Sequence, residues 1–201
     1  MLAFLPGFLT GLSLIIAIGA QNAFVIRQGL TRSHVFLVVA ICAIADIALI
    51  CLGIGGLGAL ITSLPWLLEV IRWFGVAYLT WFGFRSARAA FKNESLDAAG
   101  AAEQSRVKVI TTVLALTLLN PHVYLDTVIL VGSIGNQFGD NKWFFAAGAS
   151  LASVVWFTTA GFGAKAASRL MSKPVFWRIL DVFIAIVMFG VALTLALYRF
   201  S

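Results

Sequence analysis

Charge is what this chain has least of. Asp, Glu, Lys and Arg together make 11% of its 201 residues and 61% are hydrophobic, whereas a soluble domain carries about 25% charged and about 45–50% apolar residues. That scarcity excludes an ordinary soluble domain and marks an integral membrane protein. Cysteine is equally sparse. Cys42 and Cys51 stand nine apart in one predicted helix, which is neither a CxxC redox spacing nor a metal motif. A membrane thiol–disulfide carrier would need redox cysteines in separate halves of the chain, so these two read as small apolar packing residues. The N-terminal apolar run lacks the basic residues that open a secretory signal and continues to Ile26, so it reads as a retained helix.

What is present is apolar length. Six stretches, at about 3–26, 35–61, 66–84, 109–134, 143–164 and 177–198, each approach the roughly 20 residues of a spanning helix. The expected fold is all-α: a polytopic membrane protein of six transmembrane helices with little left over for a soluble domain. The net charge of +6 would suggest acidic partners in a soluble protein. Here the basic residues cluster in loops, no nucleic acid is expected, and the partner is the lipid bilayer. Arg27 and Arg32, Arg85, Arg88, Lys92, Arg106 and Lys108, then Lys165, Arg169, Lys173 and Arg178 fall on one side, against Lys142 and Arg199 on the other. Eleven against two puts those three loops in the cytoplasm and both termini outside.

The chain also reads as one unit written twice. Phe36 to Gly55 aligns with Phe144 to Gly163, matching Gly53-Ile54-Gly55 to Gly161-Phe162-Gly163; Pro65 and Pro174 open the following helices; Asn22 corresponds to Asn120. Three helices per unit turn the second copy over. The expectation is therefore one membrane domain, with a first repeat over 1–91, a polar cytoplasmic linker over 92–108, and a second, inverted repeat over 109–201. Inverted repeats place transporter sites near the midplane, where the copies meet. A bundle of this size is compatible with a homodimer.

Against that background Asp46 and Asp126 stand out, each inside an apolar stretch. A carboxylate at mid-bilayer costs about 2.5–3.5 kcal/mol on insertion scales, so two of them suggest a path for something cationic. Asp46 shares a face with Cys42 and Gly53. Arg72, the one basic residue well inside a stretch, is a minority candidate for its partner. Glu69 with Arg72, and Arg178 with Asp181, are spaced as i, i+3 pairs near helix ends and read as interfacial residues reaching toward water.

Two motifs accompany the carboxylates. In Gly19-Ala20-Gln21-Asn22-Ala23-Phe24-Val25, the adjacent carboxamides Gln21 and Asn22 need hydrogen bonds wherever they are buried; interhelical glue is the alternative to a binding role. In Asn120-Pro121-His122-Val123-Tyr124-Leu125-Asp126, Pro121 removes a backbone donor and predicts a break. Broken backbone at membrane depth is tolerated only in protein or along a cavity. The N–H groups opening the half-helix after Pro121 could hold a carboxylate. In a regular helix His122 and Asp126 share a face, as do Asn120 and Tyr124. His122 is a candidate proton carrier or simply a hydrogen-bonded partner of Asp126.

These motifs carry a resemblance. Gly19-Ala20-Gln21-Asn22-Ala23-Phe24-Val25 followed by Gln28-Gly29, Ala45-Asp46, Trp73-Phe74-Gly75-Val76-Ala77-Tyr78-Leu79, and Leu119-Asn120-Pro121-His122-Val123-Tyr124-Leu125-Asp126 together resemble the four helix signatures of the LysE/ArgO family of basic amino-acid exporters. One departure is Ala20, where the family pattern has Pro, so a milder first break is expected. The resemblance implies export of L-arginine, L-lysine or both across the bacterial inner membrane, coupled to the proton gradient or the membrane potential, with no cofactor and no catalysis. The expected substrate-binding residues are Gln21, Asn22, Asp46, Asn120, Pro121, Tyr124 and Asp126, with His122 and Asp126 as candidates for proton coupling. The rival reading is a metal or other cation efflux protein or channel with Asp46 and Asp126 as ion ligands, although hard-metal sites gather more oxygens than two carboxylates.

Overall fold

The computed structural model describes residues 2–16, 19–57, 65–91, 105–167 and 174–197; the linker segment 92–104 lies outside them. The described residues contain no strand and form eight helices: α1 Phe4–Ile15, α2 Ala20–Leu30, α3 Val35–Leu52 continued by a π turn at Gly53–Leu57, α4 Pro65–Phe91, α5 Arg106–Leu118, α6 Pro121–Asn136, α7 Lys142–Ala167 and α8 Pro174–Leu197. The protein is an all-α polytopic membrane protein. Helices α3, α7 and α8 are long and apolar enough to cross a bilayer, and two bent pairs, α1 with α2 and α5 with α6, reach that length together. Helix α4 has 27 residues, about 40 Å at 1.5 Å per residue. It is less apolar because Glu69 and Arg72 sit toward one end and Arg85 and Arg88 toward the other. The element order, a bent pair followed by two long helices, occurs twice.

Both predicted breaks are present, with unexpected proportions. The bend is 60° between α5 and α6 but 82° between α1 and α2, so the absence of a proline at Ala20 does not make the first break milder. Gly19 takes extended backbone immediately before α2 (φ −112°, ψ −178°). The Asn22 amide then donates to the Ile15 carbonyl at 2.7 Å, satisfying an acceptor that the end of α1 leaves open. At the second break the Tyr124 hydroxyl does the same for the Leu118 carbonyl at 2.9 Å. Asn120 caps the start of α6 by accepting from His122 N at 3.2 Å, and Pro121 occupies the first helical position, where a missing N–H costs nothing. Each break thus carries its own side-chain repair.

Close backbone crossings hold the bundle together, as expected where lipid removes the hydrophobic drive for helix association. Helix α1 lies on α7 through Gly7, Gly11 and Gly148. A Cβ at Gly148 would overlap the Phe4 carbonyl oxygen and fall 2.8 Å from Phe8 N, and one at Gly11 would lie 2.9 Å from the Ala149 Cα. The π turn of α3 meets α6 in the same way, since a Cβ at Gly132 would sit 2.7 Å from the Gly53 carbonyl. Helices α4 and α8 run together, with Phe84 and Phe189 edge to face at 5.0 Å. One apolar core gathers Val25, Val38, Cys42, Leu79, Val109, Phe157 and Met188; a second gathers Ile50, Ile54, Val131 and Phe145. Trp66, Trp73, Trp81 and Phe84 of α4 face outward, as residues in contact with acyl chains should.

Two predicted charge assignments change. Arg72 is buried at 5% exposure, so it does not reach toward water; Glu69 pairs with it, and the guanidinium lies 5.0 Å from the centre of the Trp73 ring. Asp181 pairs with Arg27 of α2 at 3.0 Å, a contact joining the first and last parts of the chain. Cys42 and Cys51 are both free thiols.

Candidate functional site

The two breaks open onto one cavity of about 290 Å³, at the small end of ligand pockets, which run about 300–1,000 Å³. It is lined from α1 and α2 by Gly11, Leu14, Ile15, Gly19, Gln21 and Asn22, and from α3 by Asp46 and Ile50. The second half contributes Asn120, His122, Val123, Asp126, Thr127, Val131, Ser153 and Phe157, and α8 adds Val191. Six of the eight residues expected from sequence therefore meet there: Gln21, Asn22, Asp46, Asn120, His122 and Asp126. Pro121 and Tyr124 do not line it. Pro121 is buried at the helix start and Tyr124 is turned back to the Leu118 carbonyl, so both serve the break.

Winding explains which residues of α6 reach the cavity. From Tyr124 to Leu130 the helix is π-wound, which widens the turn beyond 3.6 residues. The lining residues run His122 and Val123, then Asp126 and Thr127, then Val131, a stripe in steps of four that reach five only within the π-wound part. His122 and Asp126 share this stripe as expected, whereas Asn120 is the extended cap before the helix (φ −99°, ψ 105°) and Tyr124 turns back to the Leu118 carbonyl, so those two do not share a face. The π turn of α3 lies against this segment at Gly53 and Val128. Single π turns are frequent at functional sites, and here two of them touch beside the cavity.

The carboxylates differ in their surroundings. Asp46 is buried, 7% exposed, and accepts a hydrogen bond from Ser153 Oγ at 2.9 Å. Its partner is thus a neutral hydroxyl of α7 and not Arg72. Asp126 is half-buried, with His122 within electrostatic reach. Asn22 uses both ends of its amide: the nitrogen closes α1, and the oxygen accepts from Trp156 Nε1 at 3.1 Å. Gln21, 9% exposed, has an amide nitrogen without a hydrogen-bond partner among the described residues.

Sequence reasoning missed Ser153, Trp156 and Thr127. A serine among the alanines of α7 and a threonine beside Asp126 carry no spacing signal. Trp156 looks like any interfacial aromatic until the fold brings it to Asn22. No group of three or more His, Cys, Asp or Glu able to hold a metal ion occurs among the described residues.

Comparison with known proteins gives consistent results. The family model described as LysE type translocator matches residues 12–199. A Mycobacterium tuberculosis protein named only provisionally as an amino-acid transporter is 45% identical over 181 residues, 90% of each chain. The arginine exporter ArgO of Pectobacterium carotovorum is 43% identical over 195 residues, 96% of each chain. The lysine exporter LysE of Corynebacterium efficiens is 37% identical over 223 residues, covering 96% of this chain and 98% of its own. No solved structure gives a significant match.

Proposed function

The chain belongs to the LysE type translocator family, and from that premise we propose that it is a secondary transporter exporting basic L-amino acids, arginine, lysine or both, across the bacterial plasma membrane. The observation that carries this reading is the single cavity in which Asp46 and Asp126 meet the carboxamides of both helix breaks. A basic amino acid carries two cationic groups and one carboxylate. The cavity offers two carboxylates and a set of amide donors, which matches that pattern group for group. The relatives named as arginine and lysine exporters support the substrate class. Export against a gradient requires a driving force, the proton gradient or the membrane potential, and His122 beside Asp126 is the candidate for carrying a proton.

The repeated element order supports two three-helix units, 1–91 and 109–201, joined by the linker 92–108. The positive-inside bias orients them with that linker in the cytoplasm. A reporter fused within 92–108 is expected to read cytoplasm, and one fused after Ser201 to read the outer face; a linker reading the outer face would reverse the direction of transport argued here.

Uptake of radiolabelled arginine, lysine and manganese into inverted membrane vesicles tests the substrate directly. Energised movement of either amino acid is expected. Movement of manganese alone would replace this reading with cation efflux through the two aspartates.

A further inference from the structure

The two helix breaks are not equivalent, and the difference assigns a direction to the bound substrate. At the second break the start of α6 is already served, because the Asn120 side chain accepts from His122 N. At the first break no side chain among the described residues caps α2. Gly19, the residue preceding it, lines the cavity, and a Cβ built there meets nothing within 4 Å among the described residues. Space and an uncapped helix start therefore coincide on the same wall.

A second observation points to the same place. Gln21 lines the cavity from the first turn of α2 and is more than nine-tenths buried, yet its amide nitrogen makes no hydrogen bond of proper geometry among the described residues. It stands against the Cys42 thiol, a weak acceptor. A buried donor without an acceptor is costly, and a helix start without a cap favours an anion. One ligand oxygen pair would satisfy both. The anionic group must also tolerate Asp46, which lies one helical turn from Cys42 on α3. A free carboxylate would be repelled there, but the head of an amino acid brings an ammonium bonded to the same carbon.

We infer that Gln21 and the start of α2 bind the α-carboxylate of the substrate, that Asp46 takes the neighbouring α-ammonium, and that Asp126 is left to the cationic end of the side chain. This rests on the amino-acid reading above and moves the carboxylate from the Pro121 break, where sequence alone suggested it, to the first break. Gln21 is then the residue that distinguishes an amino acid from the corresponding amine.

The test compares L-arginine with agmatine, which has the same guanidinium and no carboxylate, by calorimetric titration of the purified full-length protein. Wild type is expected to prefer arginine. Gln21→Met removes the donor and should weaken arginine binding by about tenfold or more, the worth of a hydrogen bond to a charged group, while agmatine binding persists and reports that the site is folded. Gln21→Glu keeps the size and adds a negative charge, so it should reverse the preference in favour of agmatine. Equal binding of both ligands by wild type, or equal loss of both in Gln21→Met, overturns the assignment while leaving cation recognition by Asp126 intact. L-lysine and its decarboxylated counterpart cadaverine form a second pair with the same expectations, and binding of none of the four ligands by wild type overturns the amino-acid reading and this assignment together.

Discussion

Asp126→Asn is expected to reduce substrate affinity by about 2–5 kcal/mol, a fall of roughly thirtyfold or more, while the protein still inserts and folds. Removing one member of a desolvated charge pair typically costs that much. The asparagine keeps the size and a hydrogen-bonding oxygen, so packing is preserved and charge alone is deleted. Insertion should be at least as efficient, because a carboxylate has left the membrane interior. Asp46→Asn acts on the same cavity but through a different contact, since Ser153 Oγ can still donate to the remaining carbonyl oxygen. Its loss should therefore fall on binding and leave the α3–α7 contact in place. The two effects should add to less than their sum in the double variant, since both residues hold one ligand. Transport of labelled arginine and lysine, measured beside expression, checks the result. Wild-type export by well-expressed Asp126→Asn would remove this aspartate from the cation site.

The second large effect concerns assembly. Gly148→Val should prevent α1 from seating on α7, because its Cβ would overlap the Phe4 carbonyl oxygen and press on Phe8 N, backbone atoms that have no rotamer to yield. Even Gly148→Ala should destabilise by about 1–3 kcal/mol, the usual cost of overpacking. Gly190→Ala in α8 is the matched control: nothing among the described residues lies within 4 Å of its Cβ, and alanine is the better helix former by about 1 kcal/mol. Thermal unfolding in detergent should thus separate two chemically identical changes by sign. A Gly148→Ala melting temperature equal to wild type would rule out the close crossing.

The apolar runs made the helical fold legible, because a bilayer accepts only backbone that satisfies itself and needs a minimum length to do so. Pro121 announced the second break for an equally local reason. The first was harder to read. Gly19 is permissive and does not force a break, and the bend there is held by Asn22 reaching seven residues back to Ile15. Six site residues could be named because polar groups at membrane depth are rare. Their partners could not be named: Ser153 lies 107 residues from Asp46, and Trp156 lies 134 from Asn22, distances over which no periodicity carries. Tyr124 does not share a face with Asn120 because Asn120 is the extended cap before the helix and the Tyr124 hydroxyl is drawn back to Leu118, neither of which the i, i+4 spacing reveals. Arg72 does not reach toward water as its place near a helix end suggested, since it is buried beside Glu69 and the Trp73 ring, and packing of that kind leaves no mark in the sequence pattern.

The seating of α1 on α7 also sets a timetable. Gly7 meets the backbone of Phe145, and the ribosome adds the intervening residues at about 5–20 per second, so α1 waits for its partner on the order of ten seconds. During that interval its glycine stripe faces lipid at little expense, since the helix closes its own hydrogen bonds. Asn22 fares worse, for the indole that receives its oxygen belongs to Trp156 and does not yet exist. This polar wall of the cavity is therefore synthesised well before the helix that covers it, and a nascent chain halted before α7 would leave the Asn22 carboxamide oxygen without the indole that donates to it.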